Sequence, residues 1–302
     1  MMIAAILTAT ASATLLGLLA LAAMRLDRRI VDGATAAGLS LGTEWHAQRL
    51  ATERADTLLW HAGNAGVAAT ALFGLLLLPV NGGKAVLPSE VGIVLWGSCE
   101  AAIVLLVFLH GWSPNAWFAL LGAYRMVGIG LPVLLPSMFV LIGAALPARS
   151  LDFVAIVAAQ QDGWNALRQP LSLPLLLPVA LLLSKQGAFA AADSAELAGG
   201  TIGEDSGPRL TVSRLARHAV LVAYGAMIVT VCLGGGLGPW LAPPAWFLLK
   251  TICVSASLVV LGHLVALPTP ARMLSLLWLV VLPLSFVHLA QAGAAALDGA
   301  AW

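Results

Sequence analysis

Four carboxylates fall within thirteen residues of one polar stretch in an otherwise apolar chain: Asp193, Glu196, Glu204 and Asp205, inside FAAADSAELAGGTIGEDSGPR from Phe189 to Arg209. Carboxylates grouped beside membrane spans suit proton exchange, because burial and neighbouring charge move their proton affinity over a wide range. Gly199, Gly200, Gly203 and Gly207 punctuate the stretch, so it is expected as a loop and not as one continuous helix. The alternative is a solvated connector. Lys185 precedes the stretch and Arg209 closes it, while Arg125 lies in an upstream apolar segment, where it needs a carboxylate, a carbonyl or a water-filled cavity. Glu100 stands near the middle of another apolar run, where a charged side chain costs roughly 2.5–3.5 kcal/mol. It should face protein or water, either as a proton-coupling group or as a neutral acid bonded to a neighbouring helix.

The elements that must position these groups are transmembrane helices. Hydrophobic residues make up 60% of the 302 positions and charged residues 10%, against about 25% charged in a soluble domain. With a mean hydropathy of +0.96, the chain is expected to be all-α and polytopic, a single integral membrane domain of about eight spans. These fall at 2–24, 57–80, 91–109, 116–146, 170–183, 210–237, 240–267 and 273–296. The fourth is too long to stand upright and is expected to tilt or break, with Gly128, Gly130, Pro132 and Pro136 as break points. The charges after Met24, including Asp27, are read as the cytoplasmic flank of the first span. A weakly amphipathic interfacial helix is expected before Asp56, and HGWSPN (His110 to Asn115) as a tight turn.

Most Lys and Arg residues flank the loops after spans one, three, five and seven, whereas Lys84, Arg149 and Arg168 fall on the other side. Positive charge collects on the cytoplasmic side, so loop 185–209 is expected inside the cell and both termini outside, in a bacterial inner membrane. A net charge of +1 offers nothing to nucleic acid. Cys99, Cys232 and Cys253 lie in apolar runs without CxxC spacing, and no GxGxxG motif follows a strand. No metal, iron–sulfur, NADH or flavin site is therefore expected in this chain. His218, His263 and His288 are read as packing or hydrogen-bonding residues.

GWSPNAWFALLGAYR (Gly111 to Arg125) resembles the GWxSNxKYALLGxLR segment of the H-type membrane subunits of bacterial NADH-quinone oxidoreductase, respiratory complex I. Glu196-Leu197, Gly199-Gly200 and Glu204 to Arg209 resemble that family's EAExELVAGYxxEYSGxR loop. AWFLLK (Ala245 to Lys250) and Leu282-Pro283-Leu284 are similar to its WFLLK and LLPL stretches. The resemblance covers most of the chain. It implies a membrane-arm component beside a quinone chamber, partnered by other membrane subunits and a peripheral iron–sulfur arm. Quinone would then bind at the interface with those partners, and this chain would hold no cofactor itself and would not be catalytic alone.

On that reading the proton-coupling candidates are Glu100, Glu196, Glu204, Asp205 and Asp193, and the chamber or partner contacts are Arg125, Lys185 and Arg209. The chain also departs from the family pattern. AFAAADSAE replaces PFDLPEAE, Leu134 and Leu182 stand where carboxylates are usual, and Lys185 replaces an arginine. His263 and apolar residues near Leu279 replace a charged pair, and Gly33 to Gly38 (GATAAG) stands near the missing quinone-entry motif. The related anchors of energy-converting hydrogenases and formate hydrogenlyase therefore remain an alternative, as does a non-catalytic scaffold or transporter.

Overall fold

The computed structural model describes residues 2–32, 56–80, 84–266 and 268–297. The GATAAG stretch and nearly all of the expected interfacial helix lie outside the described residues. Seven helices are long and apolar enough to cross a membrane: α1 (Met2–Asp32), α2 (Thr57–Leu77), α3 (Gly92–Trp112), α4 (Trp117–Ala148), α8 (Pro208–Cys232), α9 (Pro243–Leu264) and α10 (Pro270–Leu297). Between α4 and α8 lie the short α5 (Phe153–Ala158), α6 (Asn165–Arg168) and α7 (Ser172–Leu183), then four 3-10 turns through the acidic loop. No strand occurs among the described residues. The chain is an all-α polytopic membrane protein.

The expected fifth span is the exception in length. α7 has 12 residues, about 18 Å against a hydrocarbon core of about 30 Å. Its flanks make up the difference. Gln169 donates to Gly143 O near the C-terminal end of α4 at 2.9 Å, and Asn165 donates to Val231 O near the end of α8, also at 2.9 Å. At the other end Gln186 donates to Asp27 near the C-terminal end of α1. The chain thus passes from one end of the bundle to the other, and α7 stops short of the second end.

Of the tilt and the break expected for the fourth span the break does not occur, and two other boundaries are corrected. The 32-residue α4 is continuous despite Pro132, Pro136 and Pro147 inside it; neighbouring helices in a membrane tolerate prolines that would break a soluble helix. At about 48 Å it exceeds the bilayer core and must tilt or protrude. α1 does not end at Met24 but runs on to Asp32, carrying Asp27 into the bundle. The HGWSPN turn begins later than expected, since His110 is the last-turn basic residue of α3. In α10 a π-turn over Leu277–Val281 precedes Pro283, absorbing the extra room a proline ring demands.

In lipid, helices associate by close packing, and the sequence supplies small residues where they meet. A methyl group on Gly63, Gly66 or Gly74 of α2 would sit 2.8 Å from His110 Cβ, 2.7 Å from Leu106 Cδ2 or 2.8 Å from Trp96. α8 is buried along nearly its whole length and packs against α1, α2, α7 and α9. It is the axis on which the polar groups converge.

Candidate functional site

The acidic loop does not float over the bundle. It folds down onto α3 and α4 through residues that leave it room. An added Cβ at Gly122 would lie 2.4 Å from Ala192 O, and one at Gly111 would lie 3.0 Å from Thr201 Cγ2. Ala198, Gly199 and Gly200 all take positive φ (49°, 94° and 53°), which reverses the chain sharply enough to return it to α4. Lys185 also has φ +50°, an uncommon state for a side-chain-bearing residue, at the point where α7 gives way to the loop.

Three carboxylates of this loop are each claimed by a different partner. Lys185 Nζ lies 2.8 Å from Asp193 Oδ2, a contact of charges without directed hydrogen-bond geometry. Thr201 ties the two together, accepting from Lys185 Nζ at 3.0 Å and donating to Asp193. Glu196, largely exposed, pairs with Arg125 of α4, which also reaches Ser194 Oγ at 3.4 Å. Asp205 has the most hydrogen-bond donors around it. It accepts from Trp60 Nε1 at 2.7 Å, from His110 Nε2 at 3.1 Å and from the Ser213 hydroxyl. Asn64 Nδ2 in turn donates to His110 Nδ1 at 3.1 Å and to Ser213 Oγ at 3.0 Å. That leaves His110 Nε2 as the protonated nitrogen facing Asp205. Burial by itself would raise the proton affinity of Asp205, but the bonds and charge from His110, with Ser213 and Trp60, outweigh it and hold the carboxyl below its ordinary range.

Of the remaining sequence candidates, Arg209 does not pair with Glu204; its guanidinium lies 5.3 Å over the Trp60 ring. Glu204 is exposed and has no partner among the described residues. Glu100 lies apart, in the middle of α3.

A fourth ionic group lies outside the sequence candidates. Asp27 of α1 meets Arg217 Nη2 at 3.2 Å and His218 Nε2 at 3.3 Å, both on α8. It also takes a 2.7 Å contact from His263 Nε2 of α9 and a bond from Gln186. A signal for it exists in the sequence: Leu16, Ala20, Ala23, Met24 and Asp27 form one buried stripe at helical spacing. His110 is absent from the candidates because its place in the HGWSPN motif suggests a turn. A cavity of about 20 Å³, touched by Asn64, His110, Ser213, Lys185 and Arg217, lies among these groups, with room for about one water.

A larger apolar slot of about 350 Å³ opens between α1, α2 and α8, lined by Leu16, Ala20, Ala68, Leu72, Leu215 and others. Its polar wall consists of Trp60, His61 and Asn64, two of which belong to the Asp205 network.

The family model described as NADH dehydrogenase matches residues 46–292. The chain belongs to that family. Among curated relatives it is 28% identical over 310 aligned positions to an H-type NADH-quinone oxidoreductase subunit of Rhodopseudomonas palustris strain BisB5, covering 97% of each chain. It is 29% identical over 240 residues to the corresponding NADH-quinone oxidoreductase subunit of strain HaA2, covering 79% of this chain and 75% of the relative. To the H-type subunit of Methylococcus capsulatus it is 28% identical over 246 residues, covering 81% and 78%. The Gly111 to Arg125 segment that resembles this NADH dehydrogenase family is, in space, the floor of the loop: Gly111 and Gly122 make room for it and Arg125 holds it.

Proposed function

We propose that this chain is a membrane-arm subunit of a complex I-type NADH-quinone oxidoreductase, multi-pass in the bacterial inner membrane, where it forms part of the quinone and coupling chamber. The observation that carries this reading is the apolar slot with one polar wall. An isoprenoid tail is matched by its Ala- and Leu-lined sides, and a quinone head would compete with Asp205, His110 and Ser213 for the N–H groups of Trp60 and Asn64. The wall shares Trp60 and Asn64 with Asp205, so an occupant of the slot would act on the loop through one set of hydrogen bonds. Asp193, Glu196 and Asp205 are the proton-exchanging groups of the loop, with Lys185, Arg125 and His110 setting their charge. Exposed Glu204, and Arg209 over the Trp60 ring, face the peripheral iron–sulfur arm. The chain contributes position and electrostatics; redox chemistry belongs to its partners.

The test is to fill the slot. Ala69→Trp, on its lipid-facing side, is expected to lower quinone reduction by the complex tenfold or more, about 1.4 kcal/mol. Electron transfer from the peripheral arm to a soluble acceptor should be retained. Undiminished quinone reduction would remove the slot from the mechanism. A nickel-binding large subunit co-purifying without quinone reductase activity would assign the chain to a hydrogenase-type complex instead.

A further inference from the structure

Glu100 belongs neither to the loop nor to the slot. It is 1% exposed, and three donors from three helices converge on a single one of its oxygens. Trp96 Nε1 of α3 lies 2.9 Å from Oε1, Ser137 Oγ of α4 lies 2.6 Å away, and Tyr224 OH of α8 lies 2.8 Å away. Oε2 is sealed from solvent and has no hydrogen-bond partner.

These features ask for different charge states. A carbonyl oxygen of a neutral acid has two lone pairs, so three donors on it match an anionic oxygen better. Yet nothing positive is at hand to hold an anion. Besides its three donors the carboxyl faces Cys99 of its own helix. α2 meets Trp96 of α3 with Gly74, and α7 carries no titratable residue. Arg217 lies two turns before Tyr224, about 10 Å along α8, and Arg125 lies about 18 Å before Ser137 along α4. A lone carboxylate in so apolar a place is far too costly to persist.

We propose that Glu100 is a proton-exchange site, resting as the neutral acid with its proton on Oε2 and yielding that proton transiently to water admitted when the helices around it part. One proton leaves, one returns and no electron moves. While the proton is away, the three donors on Oε1 hold the anion. The orphaned Oε2 is the point of entry and exit. A structural role would need only an acceptor at this position, which a glutamine carbonyl supplies equally well.

This inference rests on the chain working within a proton-translocating complex, but its first test does not. Infrared spectra of the purified native complex, compared with Glu100→Gln, should show the loss of one carboxylic-acid C=O band that persists from acid to neutral pH. If no acid band is lost at neutral pH, Glu100 is ionised and the proposal is overturned. Proton translocation per electron should fall in Glu100→Gln while quinone reduction continues; an unchanged ratio overturns the exchange role even if the band is present. If the variant does not assemble, Tyr224→Phe, which removes one donor, must shift the same band, and an unmoved band is equally fatal. A complex with no quinone activity leaves the infrared result standing and condemns the functional reading alone.

Discussion

Asp27→Asn removes the only carboxylate that meets Arg217 among the described ion pairs. It leaves a guanidinium whose Nε is already without a partner. Breaking a buried pair from one side costs about 3–5 kcal/mol, because the abandoned charge is left uncompensated. Arg217→Met breaks the same pair from the other side, but Asp27 keeps His263 at 2.7 Å, His218 at 3.3 Å and Gln186. The two imidazoles and the amide still satisfy the carboxylate, which softens that loss to about 1–3 kcal/mol. The double variant has neither charge, so its cost should fall well below the sum, with a coupling energy of about 2 kcal/mol or more. The assay is thermal inactivation of the assembled complex in detergent for the parent, both single variants and the double. At this chain length about 2 °C accompanies each kcal/mol, so Asp27→Asn should lose roughly 6–10 °C. The double variant should recover part of that loss. Additive losses would refute the claim that Asp27 serves chiefly to neutralise Arg217, and an unaffected Asp27→Asn would refute its burial within the bundle.

At the opposite end, Lys250 Nζ donates to the carbonyls of Leu233, Gly235 and Leu237 at 2.7, 3.2 and 2.8 Å and lies 4.6 Å from the Trp164 ring. Lys250→Met is expected to cost about 2–4 kcal/mol, read as lowered thermal stability with the acidic loop unchanged in hydrogen exchange. Asp205 has a depressed proton affinity in the fold, so its contribution is fully present above the ordinary carboxylate range, near pH 4. It is lost as pH falls through the lower folded value. Proteolysis of the 200–209 segment should therefore accelerate only in that acid window, and Asp205→Asn should be fast at all pH values. Gly122→Val places side-chain carbon against Ala192 O, where even a Cβ would approach to 2.4 Å. The loop must lift, and limited proteolysis near Ala195 should increase while the helices remain.

The spans are legible in the sequence because an apolar run of bilayer length has few other homes, and the loop is legible because glycines and carboxylates interrupt it. What escapes are the residues whose roles depend on where a helix stops. Asp27 sits among Arg25, Arg28 and Arg29 and reads as interfacial charge, yet α1 carries its buried stripe one turn further and turns that single carboxylate inward. His110 reads as the start of a turn, but a histidine in the last turn of a helix is well placed against the helix dipole, and there it meets Asp205. The short apolar 170–183 run, by contrast, ends at Leu183 as the helix does.

That last detail sets the electrostatics of the molecule. A helix about 12 Å too short for the bilayer core releases the chain while it is still inside the bundle. Lys185 and Gln186 are accordingly 6% and 1% exposed, not in water. The buried carboxylates that follow are matched by fixed partners, Lys185 for Asp193 and His110 for Asp205, while exposed Glu196 takes Arg125 and exposed Glu204 has no partner among the described residues. Buried ion pairs are poor devices for stability, since well-packed apolar residues serve as well or better. Two such buried contacts lie under this loop, Lys185–Asp193 and His110–Asp205, and the second shares Trp60 and Asn64 with the wall of the apolar slot.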